Sequence, residues 1–224
     1  MKTSVSNLVV MGLAVAVLAI AWAAWRRAAA RRAVRMHPLP DYLRDKLRAQ
    51  FPQPGDHDVA EVERGLRQFF LASAMARGRY VAMPSKVVDA MWHEFILHTR
   101  AYENFCRKAF GGMLHHTPAE ALAADPKRGD KNFQGLRRTW LWSCRDEGID
   151  PRKPDRLPTL FALDAALAIA GGYRYVADCS LLGADRGGTH CATGFGCGSS
   201  CGSSCGGDGG GDGGGGCGGG GGGD

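Results

Sequence analysis

The sequence predicts an all-α protein, with an N-terminal single transmembrane helix, a compact bundle of about five or six helices and a disordered Gly/Cys-rich tail. Three observations predict it. Apolar residues recur at spacings of three and four through the middle of the chain, the signature of one-sided helices. Strand-like alternation is nearly absent, with Tyr173-Arg-Tyr-Val176 as the one short candidate. The 224 residues also divide sharply by composition: Leu8 to Trp25 is 18 residues without a charge, and 21 of the 33 glycines lie from Gly187 onward. The segments are therefore 1–36 (anchor and basic flank), 37–186 (helical domain) and 187–224 (low-complexity tail). The middle segment is long enough for one ordinary core, which excludes a large multidomain enzyme.

The apolar run spans about 27 Å as a helix at ~1.5 Å per residue, close to the hydrocarbon thickness of a bilayer. Trp22 and Trp25 stand at its edge, where interfacial aromatics belong. Arg26, Arg27, Arg31, Arg32 and Arg35 follow, with no acid before Asp41. This places residues 8–35 against membrane lipid and the C-terminal domain in the cytoplasm of a single-pass inner-membrane protein. A cleaved signal peptide is the rival reading, but the run is long for a signal core and the arginines oppose export. The same arginines carry much of the net charge of +6. The basic balance therefore points to lipid headgroups, and no nucleic-acid motif accompanies it.

His37-Pro-Leu-Pro40 reads as a linker. Asp41 to about Gln50 is a short helix stopped by Phe51-Pro-Gln-Pro-Gly55. Asp58-Val-Ala-Glu61 has capping-box spacing and opens a helix bearing Val59, Val62, Leu66, Phe69 and Phe70. Met83-Pro84-Ser85 starts the longest predicted helix, running to about Phe110 with Val88, Met91, Trp92, Phe95, Tyr102, Phe105, Cys106 and Ala109 on its stripe. The stripe makes Trp92 and Tyr102 core residues. Gly111-Gly112 stops that helix, and Thr117-Pro118-Ala119-Glu120 is a second capping box. Asn132 to Arg145 is helical, with Leu136, Trp140, Leu141 and Cys144 inward. Thr159 to Ala170 forms the last helix, closed by Gly171-Gly172.

Asp89-Ala-Met-Trp-His93-Glu-Phe-Ile-Leu-His98 concentrates the side chains able to do chemistry. A zinc-protease helix needs two histidines four apart; His93 and His98 are five apart and diverge by about 140° at ~3.6 residues per turn. Asp89 and His93, at i and i+4, do share a face, and Arg100 lies two turns beyond His93. A chain leaving a helix at a double glycine can fold back, carrying His115 and His116 onto that face. Asp89, His93 and one or both of His115 and His116 would then form a nitrogen/oxygen site for zinc or another transition metal. The plain structural alternative is a hydrogen-bonded polar cluster.

Val88-Asp89-Ala-Met-Trp92-His93 through Tyr102-Glu-Asn-Phe105-Cys106, followed by Gly112-Met-Leu-His115-His116-Thr-Pro118, resembles the glycine-rich domain-containing protein-like family of plants and bacteria. Arg138-Thr139-Trp140 and Leu160-Phe161-Ala-Leu163-Asp164 are similar to its downstream blocks. The resemblance covers about residues 38–180. It implies the helical fold and importance for the Asp-Trp-His block, and supplies no reaction.

Of the eight cysteines, Cys106 and Cys144 lie on inward faces and read as core. Cys197, Cys201, Cys205 and Cys217 sit in nearly pure Gly/Ser backbone, which has little apolar surface to offset its ordering entropy. The tail reads as a flexible appendage. Its thiols have three candidate uses: with Asp208 and Asp212, buffering of zinc or copper(I); redox tethering; and conversion with serines to heterocycles. Under a cytoplasmic topology, stable disulfides are not expected. No phosphate loop, dinucleotide fingerprint or nucleophile elbow is present. The leading expectation is a non-enzymatic interaction or scaffold module for an unidentified protein partner. A metal-binding protein or metal-dependent enzyme is the alternative.

Overall fold

The computed structural model describes residues 2–117, 128–177, 189–191 and 193–196. Helices dominate: α1 Lys2–Met36, α2 Tyr42–Gln50, α3 Asp56–Met75, α4 Lys86–Leu97, α5 Thr99–Phe110, α6 Arg128–Glu147, α7 Thr159–Ala166 and the single turn α8 Thr193–Gly196. Two three-residue strands, β1 Arg174–Val176 and β2 Thr189–Cys191, pair in parallel with Tyr175 opposite His190. The tail thiols Cys197, Cys201, Cys205 and Cys217 lie outside the described residues, as does the Thr117–Glu120 box beyond Thr117.

α3 is the central helix, with α1, α4, α6 and α7 packed around it. Its apolar residues are too many for one narrow stripe: Val59, Val62, Leu66, Phe69 and Phe70 are all buried, facing several neighbours. Gly65 makes one approach possible. A Cβ there would stand 2.6 Å from Leu163 Cδ1 and 3.1 Å from Val88 Cγ2, so the α3–α7 crossing depends on its absence. Gly65→Ala is expected to lower stability by about 1–3 kcal/mol through overpacking, read as a lowered midpoint in chemical denaturation of the full chain in detergent. An unchanged midpoint would show that the crossing relaxes freely.

α1 is long and apolar enough to cross a membrane, with a mean hydropathy of 1.9 over its window and none of that window buried by the rest of the chain. The helix does not end where the apolar run ends. It continues unbroken to Met36, and its last turns enter the core: Val34 is buried, with Ala30 and Ala33 packed beside it. Three of the flanking arginines are engaged by protein groups. Arg31 Nε donates to Met75 Sδ at 3.4 Å, Arg35 pairs with Asp146 at 2.6 Å, and Arg26 stacks over Trp22. From α3, Arg67 donates to the carbonyls of Val34 at 2.9 Å and His37 at 2.8 Å, satisfying acceptors that the end of α1 leaves free. Burial of the Arg67 guanidinium depresses its pKa, partly opposed by Glu63. His37–Pro40 is non-helical, the linker expected between α1 and α2, but the end of α1 before it is packed into the fold and held there by Arg67.

Five other expectations change. The single long helix is two: α4 and α5 meet at His98, whose backbone (φ −83°, ψ 64°) leaves the helical region while its ring stacks on Tyr42 of α2 at 3.7 Å between centroids. The cap of α3 is shifted: Gly55 is the N-cap and Asp58 the third residue, its carboxylate accepting from Gly55 N at 3.0 Å. Glu61, the expected reciprocal acid, pairs with Arg64 at 3.3 Å. α7 stops at Ala166, well before the Gly171-Gly172 pair, because Ile169 N turns back to Asp164 O at 2.9 Å. The strand candidate finds a partner in Thr189–Cys191, inside the stretch assigned to the tail by composition. Phe195 from the same stretch is buried against Trp140, Phe161 and Tyr175. Cys191 is disulfide-bonded, contrary to the expectation for a reducing compartment. Cys106 and Cys144 are buried and free, and burial pushes the Cys144 thiol up to about 12.

Candidate metal centre

The site is built on α4. Ser85 caps its start, the hydroxyl accepting from Val88 N at 3.3 Å. One turn of helix then places Asp89 and His93 on one face, with Asp89 Oδ2 and His93 Nδ1 3.6 Å apart. The third member arrives from beyond α5. Gly111 ends that helix in the left-handed conformation (φ 79°), which glycine adopts without strain. The chain turns back, and residues 113–117 run against α4.

A buried hydrogen-bond chain fixes this return. Trp92 Nε1 donates to Tyr102 Oη at 3.1 Å, and Tyr102 Oη donates to Leu114 O at 2.6 Å. Trp92 and Tyr102 are core residues as expected, 4% and 1% exposed, and they also hold the loop that carries the histidine. Burial raises the Tyr102 pKa, keeping the hydroxyl protonated and able to donate. Cys106 sits one turn along α5; burial raises its thiol pKa as well, which makes it packing and not a nucleophile.

His116 lands with Nε2 3.0 Å from Asp89 Oδ1, its ring 4.2 Å from that of His93 and edge-on to Trp92 at 4.6 Å. One ligand atom each from Asp89, His93 and His116 lie within 4.8 Å of one another. His115 is exposed and outside this group, although it lines the adjoining cavity, so the adjacent histidine pair contributes one member. Arg100 falls beyond the break at His98 and is exposed on α5. The three side chains are graded in exposure, His93 at 51%, Asp89 at 30% and His116 at 13%. A solute therefore reaches the cluster from the His93 side, while His116 is held from behind.

Asp89, Trp92 and His116 also line a cavity of about 630 Å³. Its other walls include Tyr80, Met83, Leu114 and Tyr175, so an apolar space opens beside the polar cluster. β2 adds His190, whose ring lies 5.5 Å from Tyr175. Sequence reasoning missed His190 because the glycine composition around it assigned it to the tail.

Two structural acids were also missed. Asp164 of α7 is 3% exposed and accepts from Ser85 Oγ (2.7 Å), Lys86 N (2.8 Å), Val87 N (3.2 Å) and Tyr173 N (2.9 Å). It caps α4 from another helix, and so sets the ledge on which Asp89 stands. Its signal was present: an acid directly after the inward-facing Leu160–Leu163 run needs a partner. Glu147, at the end of α6, does the same for α7 through Thr159 N at 2.7 Å.

Residues 29–195 match the family described as UCP032817-like. The match begins within α1, where that helix starts to enter the core, and ends at the buried Phe195. No curated protein matches the chain. No solved structure matches it either.

Proposed function

The chain belongs to the UCP032817-like family, and from that premise we propose a membrane-anchored binding domain centred on a transition-metal site of Asp89, His93 and His116. The carrying observation is the convergence of three ligand atoms, from two turns of one helix and a returning loop, within 4.8 Å. Tetrahedral zinc with bonds of about 2.0–2.1 Å sets its donors roughly 3.3 Å apart. Asp89 meets His116 through Oδ1 at 3.0 Å and His93 through Oδ2 at 3.6 Å, one separation on each side of that value. Two imidazoles and one carboxylate suit zinc and its first-row neighbours. Three protein donors leave a coordination position for water or a ligand, and the adjoining cavity supplies room for one. The proposal treats the domain as a non-enzymatic module.

A second reading rests on the 3.0 Å contact itself: Asp89 accepts a hydrogen bond from His116 and the cluster is structural. Metal analysis separates the two. Full-length protein purified in detergent without chelator is expected to hold about one equivalent of metal. His93→Ala is expected to lose it, with affinity for Zn²⁺ down by about 100-fold. A half-exposed ring buries little, so the melting temperature of the metal-free protein stays within about a degree or two. Tyr102→Phe keeps all three ligands but frees Leu114 O, and is expected to weaken Zn²⁺ binding by about tenfold through the loosened loop. Substoichiometric metal, with no thermal shift on adding Zn²⁺, would leave the hydrogen-bonded cluster as the answer.

A further inference from the structure

A second depression in the surface has a different chemistry. It lies between α6 and the turn after α3, with a volume of about 660 Å³, and is lined by Arg79, Arg137, Arg138, Arg145 and Arg152 with only Asp150 opposing them. Several arginines elsewhere are paired: Arg35 with Asp146, Arg44 with Glu63, Arg64 and Arg156 with Glu147. Among the described residues, none of the five groove arginines is held by a carboxylate. Arg79 and Arg138 donate to the carbonyls of Ala76 and Tyr80, and Arg137 to that of Phe195; those bonds orient the guanidiniums without neutralising them. Asp150 is turned toward its own backbone, accepting from Arg152 N at 2.9 Å. Arg145 lies flat over Trp142 at 5.1 Å. Five cations against one carboxylate repel one another unless an anion joins them, and guanidinium forks match phosphate oxygens in pairs.

The groove also has a definite place along the anchor. Following α1 toward the span, His37 meets Arg67, Arg31 meets Met75, and Arg26 lies against Gly111. The C-terminal end of α3 therefore faces the membrane end of the domain. Arg79 follows that end directly and Arg138 is tied to Tyr80 beside it, while Arg145 stands at the other end of the groove, next to the Asp146 that pairs with Arg35. Leu141 and Trp142 stand among the arginines, giving an apolar wall of the kind a glycerol backbone and the first acyl carbons contact.

We infer that this groove binds the phosphate of an anionic phospholipid headgroup, seating the domain on the bilayer surface. The inference rests on α1 being a membrane anchor and is independent of the metal site. The test uses the full chain, extracted in a neutral detergent and supplied with equal amounts of phosphatidylglycerol and phosphatidylcholine, with retained lipid counted by native mass spectrometry. Phosphatidylglycerol is expected to be retained several-fold over phosphatidylcholine. Arg145→Gln/Arg152→Gln alters two exposed side chains whose guanidiniums make no hydrogen bonds within the described structure. It is expected to cut that retention by about tenfold, whereas Arg26→Gln/Arg27→Gln cuts it less. Both variants should remain in the membrane fraction after carbonate washing. Equal retention of the two lipids, or retention unchanged in the groove variant, overturns the inference. So does binding of inorganic phosphate or of a short DNA oligonucleotide that depends on Arg145 and Arg152 when lipid retention does not. Release of the wild-type chain by carbonate removes the anchor, and the lipid assignment with it.

Discussion

Asp164→Ala is expected to lower the stability of the domain by about 4 kcal/mol, the largest single effect of any substitution outside the apolar core. The carboxylate is 3% exposed and accepts four hydrogen bonds, three of them from the start of α4 and one from Tyr173 N. Hydrogen bonds to a charged group contribute about 1.5–3 kcal/mol each, and buried donors left without an acceptor cost a further amount of the same order. The negative charge also sits at a helix N-terminus, where the helix dipole favours it. Alanine removes all of this and cannot admit enough water to replace it. In a domain of this size the loss corresponds to a fall in melting temperature of about 10 °C. Asp164→Asn keeps the shape and part of the accepting capacity, and should fall between the two. Circular dichroism of the full chain in detergent measures both. A change below about 1 kcal/mol for the alanine variant would show that the cap is redundant with Ser85. The effect should reach the candidate centre: with the start of α4 loosened, Asp89 loses its fixed position and Zn²⁺ binding should weaken even at temperatures where the domain remains folded.

Glu147→Ala should cost about 3 kcal/mol, and here pH supplies an independent readout. The carboxylate is about one-tenth exposed. It accepts from Gln68 Nε2 at 2.6 Å, Thr159 N at 2.7 Å and Arg156 at 2.7 Å, with Arg64 at 3.4 Å. It therefore links α3, α6, the turn at Arg156 and the first residue of α7. Burial by itself pushes its pKa up; the hydrogen bonds from Thr159 and Gln68 and the Arg64 charge outweigh that and hold it below the ordinary carboxylate value. A depressed folded-state pKa means the unfolded chain takes up the proton first. The stabilisation is complete above the unfolded value, near 4.5, and is lost as pH falls through the lower folded value. Wild-type stability should therefore decline below about pH 4.5, and Glu147→Gln should flatten that limb while being less stable at pH 7. Parallel acid limbs in the two proteins would place the titrating group elsewhere. Arg64 and Arg156 are left facing a vacated partner in the alanine variant, so part of the cost is their unpaired charge and not the lost bonds alone.

These two acids mark the limit of what the chain discloses when read along its length. The helices were legible because their signals are local. The spacing in α3, the inward stripe through α4 and α5 and the Gly111 stop all follow from 3.6-residue geometry and from glycine's freedom at φ 79°. The Asp89–His93 half of the site was legible for the same reason, since i and i+4 must share a face on any helix. The apolar run of α1 needed only composition and length.

Four features required the fold. Choosing His116 over its neighbour depends on the hydrogen bond that Tyr102 makes to Leu114 O, which fixes how the returning loop is rotated. The break at His98 comes where α2 offers Tyr42 as a stacking partner, a neighbour far off in sequence. Asp164 and Glu147 cap helices that begin many residues away in sequence, so no local spacing encodes them. The end of α1 was read as lipid-facing because five arginines stood in a row, yet Arg31 and Arg35 meet Met75 and Asp146. Local spacing was enough to place most of the helical segments, the membrane-length α1 and the residue types on each helix face. Which polar groups meet was not written in that spacing, because those pairings are settled by how loops close and helices cross.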